Sequence, residues 1–312
     1  MKALRWYISA MFFLTACKMQ PGADRNHTSP DRIFKLRLRP VAGSKFSYDV
    51  LNDTRTKMEV EDKTIENINK SEAEVIFSID KDSSGNTLIG VKYQKLHIYS
   101  KQNDKETDIN DANAASSSDP TEKFLGALKK ANIVATVNSA GEVKNVSGYR
   151  EVVNEILPQL NIEDLNSKIM IQKQWQQMVE ENLIRKNIDQ LFKIFPDSAV
   201  HIGDQWKIMS REKGDINFMV KHFFTLKSIS DGVAYVDSHG EIQSDTASAD
   251  LMGYSVSTDL KGEQKGEYEI DVNSGMMLFG KINNEINGTV QVMGRDVPLK
   301  IKVTIKIKGT KM

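Results

Sequence analysis

The sequence contains five histidines, His27, His97, His201, His222 and His239, and one cysteine, Cys17. No two histidines stand in a His-x-x-x-His or His-Glu-x-x-His relation, so the pattern of a zinc site on one helix face is absent. His27 lies in a polar stretch. His97 and His222 fall in alternating apolar–polar runs, where a histidine satisfied within a sheet is the expected reading. No Gly-x-Ser-x-Gly elbow occurs, and Asn138-Ser139-Ala140-Gly141 reads as a turn. There is no phosphate loop and no Gly-x-Gly-x-x-Gly. Asp80, Asp82, Ser84 and Gly85 take positions 1, 3, 5 and 6 of a calcium loop, but position 12 is Val91, where a bidentate glutamate is needed. That stretch is expected to be a solvated hairpin turn. Carboxylates are plentiful, yet the sequence pairs none of them across a cleft. The expectation is a protein without metal, cofactor or enzymatic activity.

Cys17 points to a different chemistry. It follows two cations, Lys2 and Arg5, and an apolar run from Trp6 to Leu14, the layout of a secretory signal. The run is too short to span a bilayer, which takes roughly 20 apolar residues. Leu14-Thr15-Ala16-Cys17 resembles the lipobox of bacterial lipoproteins. The resemblance implies cleavage between Ala16 and Cys17, a diacylglycerol on the Cys17 sulfur and a fatty acyl chain, such as palmitate, on the new amine. One myristoyl-sized chain holds a protein weakly, at about 0.8 kcal/mol per buried methylene, whereas two or three longer chains make detachment negligible. With Cys17 lipidated no thiol remains, which excludes disulfides, zinc–thiolate sites and cysteine nucleophiles.

Residues 1–16 are then the signal peptide. Residues 17–31, rich in Gly, Pro, Asn and Ser, form a flexible lipidated tether. Removing Lys2 and Arg5 from 42 basic and 42 acidic residues leaves 40 against 42, with no field to recruit nucleic acid. Lys18-Met19-Gln20-Pro21-Gly22 lacks the acidic export tag of some Bacteroidota lipoproteins. The body is therefore expected at the outer membrane, facing the periplasm.

The body alternates in many places. Phe34–Arg39 reads as a strand buried on one face, and Gly43–Val50 as the next. Further strands are expected at Thr56–Asn69, Glu72–Asp80 and Thr87–Ser100, with a turn near Asn69-Lys70-Ser71. Lys101–Pro120 reads as an exposed loop, Thr121–Ala131 as a short helix, and Ile133–Val146 as a hairpin. Tyr149–Leu157 reads as a helix ending before Pro158. From an Asn161 cap to Pro196, Trp175, Val179, Leu183, Ile184, Ile188, Leu191, Phe192 and Phe195 form one apolar stripe. That helix would be ~45 Å long at 1.5 Å per residue. Strands resume from Gln205, with separate runs at Tyr254–Leu260 and Gly266–Val272, and at Met276–Asn287 and Gly288–Met293. In the last, Val297–Ile307, lysines occupy one face. Lys300, Lys302, Lys306 and Lys308 read either as guards against edge-to-edge pairing or as contacts to anionic headgroups.

The order repeats. Gly43-Ser44-Lys45-Phe46 and Gly203-Asp204-Gln205-Trp206 share a glycine with an aromatic three residues on. Val137-Asn138-Ser139 and Val272-Asn273-Ser274 each lead a turn between strands. The expected fold class is α+β: curved antiparallel sheets in two related β units, residues 32–147 and 197–312, packed on the long helix of a 148–196 helical segment. The lipobox, the Gly-x-x-aromatic starts, Phe195-Pro196 before Val200-x-Ile202-Gly203-Asp204-x-Trp206 and the Val-Asn-Ser hairpins resemble a family of uncharacterised Bacteroidota lipoproteins. At fold level the plan resembles the lipoprotein-carrier folds of the envelope. Neither resemblance implies an activity.

The functional expectation is a non-enzymatic binding or scaffolding role. An apolar ligand or envelope protein would sit between sheet and helix, with Trp175, Met178, Val179, Leu183 and Phe192 lining the site or filling a core. The alternative is an envelope hydrolase whose carboxylates the sequence does not identify. Asp197-Ser198-Ala199 and Asp245-Thr246-Ala247 match the short Bacteroidota O-glycosylation pattern, which nominates Ser198 and Thr246.

Overall fold

The computed structural model describes residues 32–312 apart from 62, 115, 118, most of 153–180, 213–215, 246–248, 252, 253 and 293. The strands are β1 (Lys45–Val60), β2 (Lys63–Lys81), β3 (Thr87–Gln102), β4 (Lys105–Asn110), β5 (Ile133–Val137), β6 (Val143–Ser147), β7 (Gln205–Glu212), β8 (Phe218–Ser230), β9 (Val233–Ser244), β10 (Ala249–Leu251), β11 (Tyr254–Asp271), β12 (Met277–Val292) and β13 (Arg295–Lys311). A short 3-10 turn, Asp111–Asn113, and two helices, α1 (Pro120–Leu128) and α2 (Glu181–Phe192), complete the described elements.

The α+β expectation is overturned: 64% of the chain is strand and 11% is helix. All described pairing is antiparallel, in one 13-stranded sheet of order β6-β5-β3-β2-β1-β13-β12-β11-β9-β8-β7, with β4 beside β3 and β10 beside β11. The described helix that carries Ile184, Ile188, Leu191 and Phe192 is α2, 12 residues long, not a helix that organises the body. Asn161–Glu180, the rest of the expected helix, lies largely outside the described residues. The orders β6-β5-β3-β2-β1 and β12-β11-β9-β8-β7 match position by position, and β13 joins them by pairing with β1 and β12.

Strand content exceeds expectation because pairing on both flanks overrides local turn signals. Asn69-Lys70-Ser71 lies inside β2, opposite Thr54, Asp53 and Asn52 of β1 and Ser100, Tyr99 and Ile98 of β3. The turn is instead at Glu61, whose φ is +55°. Lys101–Pro120 is not a plain loop, for β3 and β4 pair across a turn at Asn103, φ +52°. Gly262 and Gly288 do not end strands. A Cβ on Gly262 would collide with the Glu285 carbonyl, and one on Gly288 with the Asp259 carbonyl. These glycines permit close passage of β11 and β12 and keep each strand continuous.

The sheet is curled, because both ends of the strand order meet the same helix and its exit. Arg185 of α2 donates to the Val143 carbonyl of β6. The Asp189 carboxylate, one turn on, accepts the Val143 N–H. At the other end, Trp206 Nε1 of β7 donates to the Ile194 carbonyl, 2.9 Å away, just past α2. The 32–39 segment crosses one mouth of this curl. Phe34 and Val200 exchange both backbone bonds, Leu38 N donates to Ser139 O, and Arg39 N donates to Ser274 O. Its alternation is the expected one, with Phe34, Leu36 and Leu38 buried, but its partners are turns rather than a neighbouring strand.

Two apolar clusters occupy the inner face. The larger gathers Leu36, Leu38, Tyr48, Phe77, Ile89, Ile188, Phe192, Phe224, Leu226, Ile270 and Ile307 at the end closed by the 32–39 segment. Each such side chain stabilises the fold by about 1.5–3 kcal/mol on burial. The smaller gathers Val220, Ile242, Val256, Leu260, Ile286, Val290 and Leu299 towards the opposite strand ends. A separate cluster seats Phe124 and Leu125 of α1 on Leu96, and α1 starts where Asp119 accepts Thr121 N at 2.6 Å. The lysines of β13 guard no edge, since that strand is paired on both sides. They stand exposed on the outer face, where Lys302 pairs with Glu285 at 2.9 Å.

Candidate functional site

Register alone assembles the site. Along β12, Ile282 belongs to the larger cluster and Ile286 to the smaller. Asn284, midway between them, shares their face, because side chains alternate with period two. Its cross-strand neighbours are Gln264 on β11 and Val303 on β13. Val303 faces Thr54 of β1, Thr54 faces Asn69 of β2, and Asn69 faces Ser100 of β3. In the other direction Gln264 faces Gly240 of β9, and Gly240 faces His222 of β8. One row of hydrogen-bonding side chains thus crosses the concave face and separates its two apolar clusters.

The row is partly satisfied by itself. His222 Nδ1 lies 2.7 Å from Gln264 Oε1, and Ser100 Oγ donates to Asn69 Oδ1 at 2.8 Å. Thr54 Oγ1 donates at 3.2 Å to Oδ1 of Asn52, in the adjoining row. Two atoms are not satisfied. Asn284 Oδ1, in the row, and Asn67 Oδ1, beside it on β2, are buried with no hydrogen-bond partner. A buried amide oxygen without a donor costs about 1–3 kcal/mol, so each is a place where a donor would stabilise the fold.

At the β8 end the row becomes titratable. His222 Nε2 lies 3.1 Å from Ser210 Oγ, which also reaches Glu212 Oε1 at 3.3 Å. Burial pushes the imidazole below its ordinary value, and the Gln264 bond pulls the other way. On α2, burial pushes the Asp189 carboxyl up and nearby Glu212 pushes the same way, while Lys193, Arg185 and the Val143 N–H oppose. Ser210 and His222 have the spacing of a nucleophile and its base. The imidazole is oriented by a neutral amide, however, so no carboxylate on its far side stabilises an imidazolium. Among the described residues no three His, Cys, Asp or Glu are placed to hold a metal.

The other nominated residues lie elsewhere. Ala16, Cys17, Trp175, Met178, Val179 and Thr246 fall outside the described residues, as does the side chain of Leu183. Phe192 is fully buried, its ring 6.2 Å from that of Phe77 in the larger cluster. Ser198 is exposed in the connection to β7. The Asp80–Gly85 stretch is a hairpin turn in which Asp82 accepts Ser84 N, Asn86 N and Asn86 Nδ2. His97 and His201 pair with Asp108 and Asp204, and His239 is exposed on the outer face. A shallow hollow of about 220 Å³ on β9, β11 and β12 is lined by Asp237, Lys265, Glu267, Lys281 and Asn283. Of the row, the sequence nominates only His222 for chemistry and reads Asn69 as part of a turn. The signal was a polar residue between apolar ones at period two, and only the register aligns such residues across strands.

A family model described as a family of unknown function, DUF6263, matches residues 84–277, more than half of the chain. The chain belongs to that family. The DUF6263 match runs from β3 through β11, with α1 and α2 inside it. No curated protein sequence matches this DUF6263 member. Among solved structures, lipovitellin, studied for its lipid–protein interactions, is similar with a TM-score of 0.48 and 9% identity over 86% of this chain. This chain spans 25% of the lipovitellin chain's length. An outer membrane channel of Pseudomonas putida F1 has a TM-score of 0.26 and 7% identity, over 88% of this chain and 98% of the channel. Neither score reaches a shared fold.

Proposed function

We propose that this DUF6263 member is an envelope lipoprotein, held at the outer membrane by acyl chains on Cys17 and facing the periplasm, that binds a ligand or protein partner on its concave face without catalysis. The observation that carries the binding role is the in-register row from Gln264 to Ser100, with the oxygens of Asn284 and Asn67 buried and unpartnered. The anchor is supported by Leu14-Thr15-Ala16-Cys17 behind a short apolar run. An apolar ligand fits less well, because Phe192, Phe77 and Phe224 already fill the larger apolar cluster. Scaffolding a polar partner needs no cavity.

The test is purification from membranes, with mass spectrometry of the N-terminal peptide and of whatever co-elutes. The expected result is an acylated Cys17 and a co-eluting species lost in the Asn67→Leu, Asn284→Leu double variant. A Cys17→Ser form that still partitions with membranes, together with an unacylated wild type, overturns the anchor. Co-elution unchanged in the double variant overturns the site. The Ser210–His222 contact favours a second reading, an envelope hydrolase, against which the neutral Gln264 stands.

A further inference from the structure

We infer that the concave row takes a neutral, hydroxyl-rich ligand, a saccharide chain; the inference rests on the binding role proposed above. From Gln264 through Asn284, Thr54 and Asn69 to Ser100 the row holds amides and hydroxyls, each able to donate and to accept, with Val303 the one apolar member. In the rows on either side the chemistry repeats on β1 and β2, with Asn52 facing Ser71 and Thr56 facing Asn67, while β12 and β13 place Ile282 opposite Ile305 and Ile286 opposite Ile301. No residue of these stretches that shares the concave face carries a charge. The charges flanking them in sequence, Glu263, Lys265, Glu285, Lys302, Asp53 and Arg55, alternate onto the outer face. An anionic or cationic ligand would lose its hydration here without meeting a counter-charge. A saccharide hydroxyl meets no such penalty, and it supplies the hydrogen that Asn284 Oδ1 and Asn67 Oδ1 lack once those half-buried amides turn towards it.

Size agrees with an extended ligand. The row spans six strands, β11, β12, β13, β1, β2 and β3. At about 4.8 Å between strands it is ~24 Å long. An extended peptide is the other chain of that length, but peptides are most simply read by the N–H and C=O of a sheet edge. This row presents side chains on a face, in strands paired on both sides. At the β8 end, Glu212 and Lys193 lie near His222, and the same two charges lie near Asp189; they mark where the uncharged surface stops.

The experiment titrates the full mature chain with maltohexaose and with the hexasaccharide of N-acetylglucosamine, read by calorimetry and by amide shifts. Hexa-aspartate, hexalysine and hexa-alanine peptides serve as contrasts. The expected result is binding of a neutral hexasaccharide, shifts at Gln264, Asn284, Thr54 and Asn69, and affinity about tenfold weaker in Asn284→Leu or Asn67→Leu. Urea midpoints no lower than wild type show that those variants stay folded. Where a variant does not fold, Ser100→Ala on the exposed side of the row replaces it, with the same expected loss. Binding of hexa-alanine and not of the saccharides overturns the ligand class. So does binding of none of them when the species co-purified from membranes is still lost in the double variant; the site then stands. No binding, no loss of the co-purified species and a raised midpoint in Asn284→Leu mean that the row holds internal water alone, and both readings fall.

Discussion

His222 Nδ1 and Gln264 Oε1 meet at 2.7 Å across an intervening strand, over the Cα of Gly240. Any side chain at 240 would press on Gln264, whose Cβ lies 2.9 Å from where a Cβ on Gly240 would stand. The contact fixes the tautomer: Nδ1 carries the proton and Nε2 faces Ser210 as an acceptor. It also fixes a pH response. Burial lowers the folded value of His222 below that of the unfolded chain. Between the two values the unfolded state binds more protons, so stability is full above the ordinary histidine range and falls as the solution is acidified through it. Urea midpoints should decline from pH 7.5 to 5.5 in the wild type and decline less in His222→Gln. Equal slopes would show that His222 is not the group responsible.

Asp189 predicts the opposite slope. Its carboxylate accepts the Val143 N–H while its other oxygen is buried without a partner, and burial raises its folded value. The folded state then binds more protons above the ordinary carboxylate value, so this group's contribution is present at acid pH and lost as pH rises through the raised value. Asp189→Asn keeps an acceptor for Val143 and removes the charge. It should raise the midpoint at pH 7 and leave it nearly unchanged at pH 3.5. Asp189→Ala removes the acceptor as well and should lower stability at both pH values by about 1–2 kcal/mol. A lower midpoint for Asp189→Asn at pH 7 would mean that the ionised form stabilises α2 against β6.

What could be read from the sequence, and what could not, follows from the range over which each signal acts. Alternation is local, and it was legible: Val297, Leu299, Ile301, Val303, Ile305 and Ile307 share a face as expected, and Ile133–Val146 is a hairpin. The stripe Ile184, Ile188, Leu191 and Phe192 does form a helix face. Strand ends were misplaced wherever a turn-like residue sat in a strand held on both sides, as at Ser71, Gly262 and Gly288. The binding row was illegible for a stronger reason. Asn284 and Asn69 lie far apart in sequence, and nothing local says that β12, β13, β1 and β2 align them. One helix stripe is a denser local signal than many short strands, which is why a long helix organises the expected fold and not the observed one.

Gly288 tests the account of strand continuity. Its φ is +152°, and a Cβ there would meet the carbonyl of Asp259 on β11. Replacing it by alanine must either move β12 away from β11 or shift the backbone to another basin. Gly288→Ala should therefore destabilise by about 2 kcal/mol or more. Gly294, also at positive φ but with open space around its Cβ position, should lose about 1 kcal/mol on the same change. Equal losses at the two positions would leave only backbone conformation at work and would remove the close passage of β11 and β12 as the reason for glycine at 288.

Ser210 decides between binding and hydrolysis. Its hydroxyl lies 3.1 Å from His222 Nε2, near enough for the imidazole to take its proton. A transferred proton would leave an imidazolium whose Nδ1 faces the Gln264 amide oxygen rather than a carboxylate. Burial already disfavours that cation. The hydroxyl also has Glu212 Oε1 as a competing acceptor at 3.3 Å, which favours the neutral serine. A nucleophile needs a base that becomes more stable as it accepts the proton, and this environment does the reverse. A fluorophosphonate probe should therefore leave Ser210 unlabelled at pH 7 to 8, and Ser210→Ala should leave saccharide affinity within about twofold, since Ser210 lies beyond the uncharged part of the row. Stoichiometric labelling of Ser210, lost in His222→Gln, would establish the hydrolase and end the non-enzymatic reading.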